Sequence, residues 1–210
     1  CGYADEGGFW PNKIYHEEIC MFICKAANKC KIEMGKEIAI SIDVAANEFF
    51  FNNNYRLYNK KYSSEELINI YKELNKNYYV KLIEDPFYEN DINSFVALKK
   101  NKEIDLNIIG DDLTCTNIDL LKNAHEKKAI DGIIIKPNQC GTISETLDVM
   151  DYCKKNNIKT ILSARSGDTE ENYLSHLSVG WETDMIKVGS LSRSDRTAKW
   201  NELIRIQELI

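Results

Sequence analysis

The sequence predicts an α/β protein, an incomplete TIM-type barrel of about six βα units whose first strands lie outside the chain. Three observations predict it. Short apolar runs recur, each stopping at a charged residue. Segments with helical periodicity lie between them, and the interval leaves room for the crossover of about a dozen residues that a parallel strand pair requires. A full eight-stranded barrel takes about 250 residues. This chain has 210, 43% of them hydrophobic, and begins at Cys1 with no initiator Met, so a piece missing its beginning is expected.

In chain order, KEIAISID ends at Asp43 and YYVKLIED ends at Glu84 and Asp85. LNIIGDDL (Leu106–Leu113) breaks off at Asp111 after Gly110. GIIIK ends at Lys136, KTILSAR at Arg165 and DMIK at Lys187. Runs of this length bounded by Gly or charge read as buried strands. Burying an unpartnered carboxylate costs several kcal/mol, so each charge belongs at a strand end with a partner. The intervening Ser63–Lys76, Asn117–Lys128 and Ile143–Asn156 have helical periodicity, with Ser64 and Asn117 as expected caps. In a TIM-type barrel functional groups project from the C-terminal strand ends, so three acids followed by three cations would face one mouth. A single strand ending in Asp means little more than a cap on the next loop.

A net charge of −6 and a pI near 5.2, without a continuous Lys/Arg stripe, argue against a nucleic-acid partner. The mixed charges along the helices read as solvated faces. Neither a long apolar run nor a signal peptide is visible, so the sequence predicts a soluble, cytoplasmic protein without a membrane partner. Seven cysteines without a CxxC pair suggest reduced thiols. His16, Cys20 and Cys24 would share one face of a helix over Ile14–Lys31. That suggests a zinc site, but a buried Cys more often acts as a small hydrophobe. The Asn-rich run Asn52–Asn54 reads as compositional drift.

Asp43, Glu84 and Asp111 on consecutive strands would repel one another. Two arrangements relieve this: a divalent cation, with oxygen-only ligands favouring Mg²⁺ or Mn²⁺, or ion pairs with Lys136, Arg165 and Lys187. A lysine among other cations and a metal in a partly dry site can shed its proton and act as a base. Arg165, Ser166 and Gly167 supply a fork, a hydroxyl and an unhindered amide, suited to phosphate or carboxylate. The chemistry this suggests is proton abstraction beside a carboxylate on a small polyanion, with a metal stabilising the charge that develops.

ADEGGFWPN, SIDVAANEFF, LIEDPF, IIGDDLTCTN, IIIKPNQCGTISETL, SARSGDTEE and IKVGSLSRSDRTAKWNELIRI resemble enolase, the glycolytic phosphopyruvate hydratase, in order and across nearly the whole chain. The resemblance implies an enolase C-terminal barrel domain over residues 1–210, preceded in the family by an α+β domain that this sequence lacks. It implies Asp43, Glu84 and Asp111 as Mg²⁺ ligands and Lys136 as the base that takes the C2 proton of 2-phosphoglycerate. Lys187 would hold the substrate carboxylate and assist the reaction, Arg165 and Ser166 would bind phosphate, and Glu6 would help the C3 hydroxide leave. Without the resemblance, an acid before Gly7 and Gly8 marks only a turn. The product would be phosphoenolpyruvate, and the complete protein a homodimer.

Departures from the family pattern accompany the resemblance. Ala164 stands where enolases carry a substrate-contacting histidine, and loss of such a contact costs roughly a hundredfold or more in rate. Ala4, Trp10 and Asp168 are smaller changes, Trp10 either narrowing the mouth or packing on its rim. The family's mobile serine-bearing loop and a further acidic residue belong to the absent portion. Alone, these residues are expected to leave an open sheet edge prone to association. Two other readings follow from Ala164: an enolase-like enzyme acting on a phosphonate analogue, and an inactive enolase-like binding or scaffold protein.

Overall fold

The computed structural model describes residues 2–12 and 15–210. The first half of the chain forms β1 (Gly2–Tyr3), β2 (Phe9–Trp10), α1 (His16–Lys29), β3 (Ile40–Asp43), β4 (Phe50–Phe51), β5 (Asn54–Leu57), β6 (Lys60–Tyr62), α2 (Ser64–Tyr78), β7 (Val80–Glu84) and α3 (Ile92–Lys99). The second half forms β8 (Asn107–Gly110), α4 (Ile118–Glu126), β9 (Gly132–Ile135), α5 (Pro137–Cys140), α6 (Ile143–Asn156), β10 (Lys159–Ser163), α7 (Tyr173–Gly180), β11 (Met185–Lys187) and α8 (Ser194–Gln207).

Two compact units divide these elements. One comprises Ile14–Thr114 and Asp119–Gly132, and its parallel strands follow the order β8-β7-β3. The other comprises Cys1–Lys13, Cys115–Ile118 and Ile133–Ile210, with the strand order β11-β10-β9. All six predicted strands are present, and each is joined to the next through at least one helix. Among the described residues, no helix is long and apolar enough to cross a membrane.

In the first unit, β7 is buried over most of its length because neighbours pair on both of its edges and helices cover it. Phe87 sits among Tyr55, Tyr71 and Phe95, with ring centroids 5.5 to 6.2 Å apart at steep angles. Such edge-on contacts suit the aromatic quadrupole. Tyr71 also donates a 2.7 Å hydrogen bond to the Pro86 carbonyl, satisfying its buried hydroxyl. Phe95, wholly buried, packs edge-on against Phe87. Phe95→Ala is expected to destabilise by about 3–5 kcal/mol, read as a lowered denaturation midpoint in urea at unchanged slope.

Local chemistry corrects several predicted boundaries. The cap of α2 is Ser63 rather than Ser64. Ser63 has an extended backbone, its Oγ accepts from Glu66 N at 3.2 Å, and its own amide donates to Glu66 Oε2 at 2.7 Å, completing a capping box. Ser64 instead donates to Asp91. Of the predicted helix 14–31, Ile14 lies outside the described residues, the helix runs over His16–Lys29, and Cys30 and Lys31 form a turn after it. Cys20 lies in an apolar cluster with Ile40, Leu74 and Val80, against which Cys24 packs, while His16 contacts the Tyr58 hydroxyl at 3.1 Å. This is core packing in place of the suggested zinc set. The Asn run is turn chemistry rather than drift: Asn52 and Asn53 adopt φ of 50° and 58° between β4 and β5. Asn tolerates this left-handed region, which a β-branched residue resists.

Both units share a further device. In each, an aspartate accepts the second amide of a strand: Asp131 accepts from Ile108 N of β8 at 3.0 Å, and Asp184, preceding β11, accepts from Thr160 N of β10 at 2.8 Å. The N-terminal strand ends are thereby stitched by side chains, which leaves the C-terminal ends for other work.

Candidate functional site

The first unit carries the acidic residues. Asp43 and Glu84 are register partners on β3 and β7, and Glu84 in turn pairs with Ile109 on β8, two residues before Asp111. Asp43 is exposed, whereas Glu84 is 3% and Asp111 8% exposed. The alignment of parallel strands thus brings the three predicted carboxylate positions to neighbouring strand ends.

Asp85 holds this arrangement together, though the sequence shows it only as a second charge at the end of β7. Its backbone has a φ of 40°, unusual for any residue and more so before a proline. Its amide donates to Ile109 O at 3.0 Å, and its carboxylate accepts from Asp111 N at 3.0 Å and Asp112 N at 2.6 Å. Burial pushes the Asp85 carboxyl up to about 7, against the pull of those two amides. Asp85, Asp111 and Asp112 each offer a carboxylate oxygen, all within 4.8 Å of one another. Asp112 also accepts from Asn47 Nδ2 at 2.8 Å. Asp111 belongs both to this cluster and to the predicted trio.

An oxygen-only donor set, partly shielded from water, fits a hard divalent cation such as Mg²⁺ better than a soft one. Asp85 already uses both carboxylate oxygens as amide acceptors, which makes it a brace for the Asp111–Asp112 turn.

The second unit carries the cations. Lys136 follows β9 in extended conformation (φ −127°, ψ 98°), as Pro137 favours. Its amide donates to Thr116 Oγ1 at 2.9 Å, and that hydroxyl lies 3.0 Å from Gln139 Oε1. Arg165 lies two residues beyond the end of β10, slightly further out than predicted. It is exposed; its Nη1 donates to Asn138 Oδ1 at 3.1 Å and its amide to Asp168 Oδ2 at 3.2 Å. Ser166 is exposed too. Ala164, 7% exposed, donates its amide to Lys187 O at 2.8 Å, which joins the SARSG loop to the end of β11.

Glu6 does lie in a turn, between β1 and β2, and the chain after β11 grips that turn. Ser190 N donates to Glu6 O at 2.9 Å, Arg193 Nη1 to Asp5 O at 2.6 Å, and Ser192 Oγ to Gly7 O. Gly189, at φ 112°, permits the approach, because a Cβ there would stand 2.9 Å from Glu6 O. Glu6, Arg165, Ser166 and Lys187 are therefore tied to adjoining segments of one unit. Trp10, 67% exposed, pairs across from Gly2 on the surface.

Two further charged residues are buried where mixed charges along a helix predict a solvated face. Arg196 and Lys199 on α8 are wholly buried. Arg196 Nη2 donates to Ser166 O at 2.7 Å and Nη1 to Val188 O at 3.0 Å, while Nε faces Asp195 Oδ2 at 2.8 Å. Lys199 Nζ donates to Thr169 O at 2.7 Å and Asp195 O at 2.8 Å, with Asp168 Oδ1 at 3.4 Å. The signal lay in the spacing: Asp195, Arg196, Lys199 and Glu202 form a charged stripe at helical intervals, and that stripe is the buried face of α8.

Parallel βα units with charged residues at their C-terminal strand ends define a TIM-type α/β protein, with an acidic cluster that could hold a cation in one unit and a set of cationic residues in the other. Residues 2–210 match the family model described as Enolase, C-terminal TIM barrel domain, and the chain belongs to the enolase family. It is 42% identical over 206 residues to the enolase of Pelagibacter ubique (strain HTCC1062), covering 98% of this chain and 49% of that protein. The enolase of Ehrlichia ruminantium (strain Gardel) is 39% identical over 207 residues, covering 99% and 49%. That of Sulfolobus acidocaldarius is 41% identical over 204 residues, covering 97% and 48%. The chain spans about half the length of the curated relatives it matches.

Proposed function

We propose that this chain supplies the barrel portion of an Mg²⁺-dependent enolase, a carbon–oxygen lyase that converts 2-phosphoglycerate to phosphoenolpyruvate. The observation that carries the reading is the run of chemistry-bearing residues at successive parallel strand ends: Asp43, Glu84, Asp111, Lys136, Arg165 and Lys187. Keeping so many charges at the ends of buried strands is costly unless they have work to do.

In this reading Asp43, Glu84 and Asp111 hold Mg²⁺, which when bound neutralises charge developing on the substrate carboxylate. Lys136, fixed by Thr116 and Pro137, takes the proton at C2. Lys187 orients the carboxylate, and Arg165 with Ser166 binds the phosphate. Glu6 protonates the departing C3 hydroxide. The working form is a homodimer in the cytoplasm.

The test uses the complete natural chain, with Mg²⁺-dependent formation of phosphoenolpyruvate from 2-phosphoglycerate as readout. Turnover abolished by EDTA supports the reading; absence of turnover in the natural chain sinks it. The metal assignment has its own check. Mg²⁺ at a hundredfold excess over its Kd should stabilise the protein by about 2.7 kcal/mol, seen as a rise in Tm. Glu84→Gln should lose most of that rise.

Ala164 supports a second reading, an enolase-like enzyme for phosphonate analogues or a non-catalytic binding protein. Turnover of a phosphonate, with none of 2-phosphoglycerate, would favour the former.

A further inference from the structure

The buried guanidinium of Arg196 is used by no step above, yet it is bonded to two segments that carry proposed substrate contacts. One is the loop after β10, through Ser166 O, and the other is the chain after β11, through Val188 O, the carbonyl next to Lys187. Its Cδ lies 2.9 Å from where a Cβ on Gly189 would stand, and that same Cβ position is 2.9 Å from Glu6 O. Asp195 compensates the charge from the same helix. Lys199 secures the far side of the loop through Thr169 O, and reaches Asp168, whose carboxylate accepts the Arg165 amide.

A guanidinium is planar and always charged, and it presents its donors in a fixed fork. Two carbonyls bound to one fork therefore have their separation set by it, which a single ammonium on a flexible stem cannot do. We propose that Arg196 is a positioning residue that fixes the spacing between the phosphate-binding loop at Arg165–Ser166 and the carboxylate-binding end of β11 at Lys187, with Lys199 anchoring the loop's outer half. This rests on the enolase reading for the identity of the substrate, but not for the geometry.

The experiment compares the complete natural chain with Arg196→Lys, Arg196→Ala and the stability control Phe95→Ala. Misplacing a binding group by about an ångström costs up to roughly a hundredfold. Arg196→Lys is expected to raise KM for 2-phosphoglycerate about tenfold or more, with kcat falling less. Free guanidinium should lower the raised KM of Arg196→Ala, and Phe95→Ala should leave KM unchanged despite its lower Tm. An unchanged KM in Arg196→Lys, or a rise matched by Phe95→Ala, overturns the proposal. Should the natural chain show no turnover, the enolase reading fails, and calorimetry with inorganic phosphate decides the positioning role. Weaker binding by Arg196→Lys upholds it. Equal binding, or none by the natural chain, overturns it.

Discussion

Lys136→Ala is expected to lower phosphoenolpyruvate formation by roughly 10²–10⁴-fold, the range that a positioned general base contributes. The lysine is held in place from its backbone: Pro137 fixes the extended exit from β9, and Thr116 Oγ1 accepts the Lys136 amide at 2.9 Å. Truncating the side chain leaves both supports intact, so the loss should fall on the proton transfer. Exchange of the C2 hydrogen of 2-phosphoglycerate with deuterated solvent should disappear along with turnover. The Mg²⁺-dependent rise in Tm should survive, because the proposed metal ligands are other residues. Retained exchange in Lys136→Ala would place the base elsewhere.

Ala164→His is expected to raise turnover by roughly a hundredfold, the usual worth of one directed substrate contact. Ala164 directly follows β10 and donates its amide to Lys187 O, so its backbone position is fixed by strand pairing. A side chain introduced there starts from a defined point beside the SARSG loop. Comparing kcat/KM for the two proteins on 2-phosphoglycerate provides the test. A natural chain without turnover that gains it with histidine would mean a site disabled at one residue. Equal rates in both would separate residue 164 from the chemistry altogether.

The C-terminal strand ends were legible because their signal is local. An apolar run interrupted by a charge is visible within eight residues, and all six predicted strands exist. Helix α6 runs over the predicted Ile143–Asn156, its cap Thr142 accepting from Glu145 N. The N-terminal strand ends were missed, although AIDGIII and TDMIK both place an aspartate before the run. What those aspartates do depends on a neighbouring strand some two dozen residues away, a relation no window of sequence contains. Asp85 was hidden for a similar reason, since its partners Asp111 and Asp112 belong to the next βα unit. Helix α3 has apolar residues on more than one side and lacks the polar face that marks an amphipathic helix. Arg196 and Lys199 invert that pattern, because α8 buries its charges while Ile204 is exposed. An inverted stripe looks the same as a solvated one until its partners, here backbone carbonyls of a distant loop, are known.

That grip on carbonyls has an evolutionary consequence. The Arg196 guanidinium holds the segments after β10 and β11 through Ser166 O and Val188 O, atoms that every amino acid carries. Side chains at Ser166 and Val188 can therefore be exchanged without removing the atoms that Arg196 holds, whereas Gly189 has no room for a Cβ beside Arg196 Cδ. Position 164 holds alanine beside this frame, its own amide bonded to Lys187 O. At Ser166 and Val188, then, inheritance of the scaffold is separate from inheritance of the side chain.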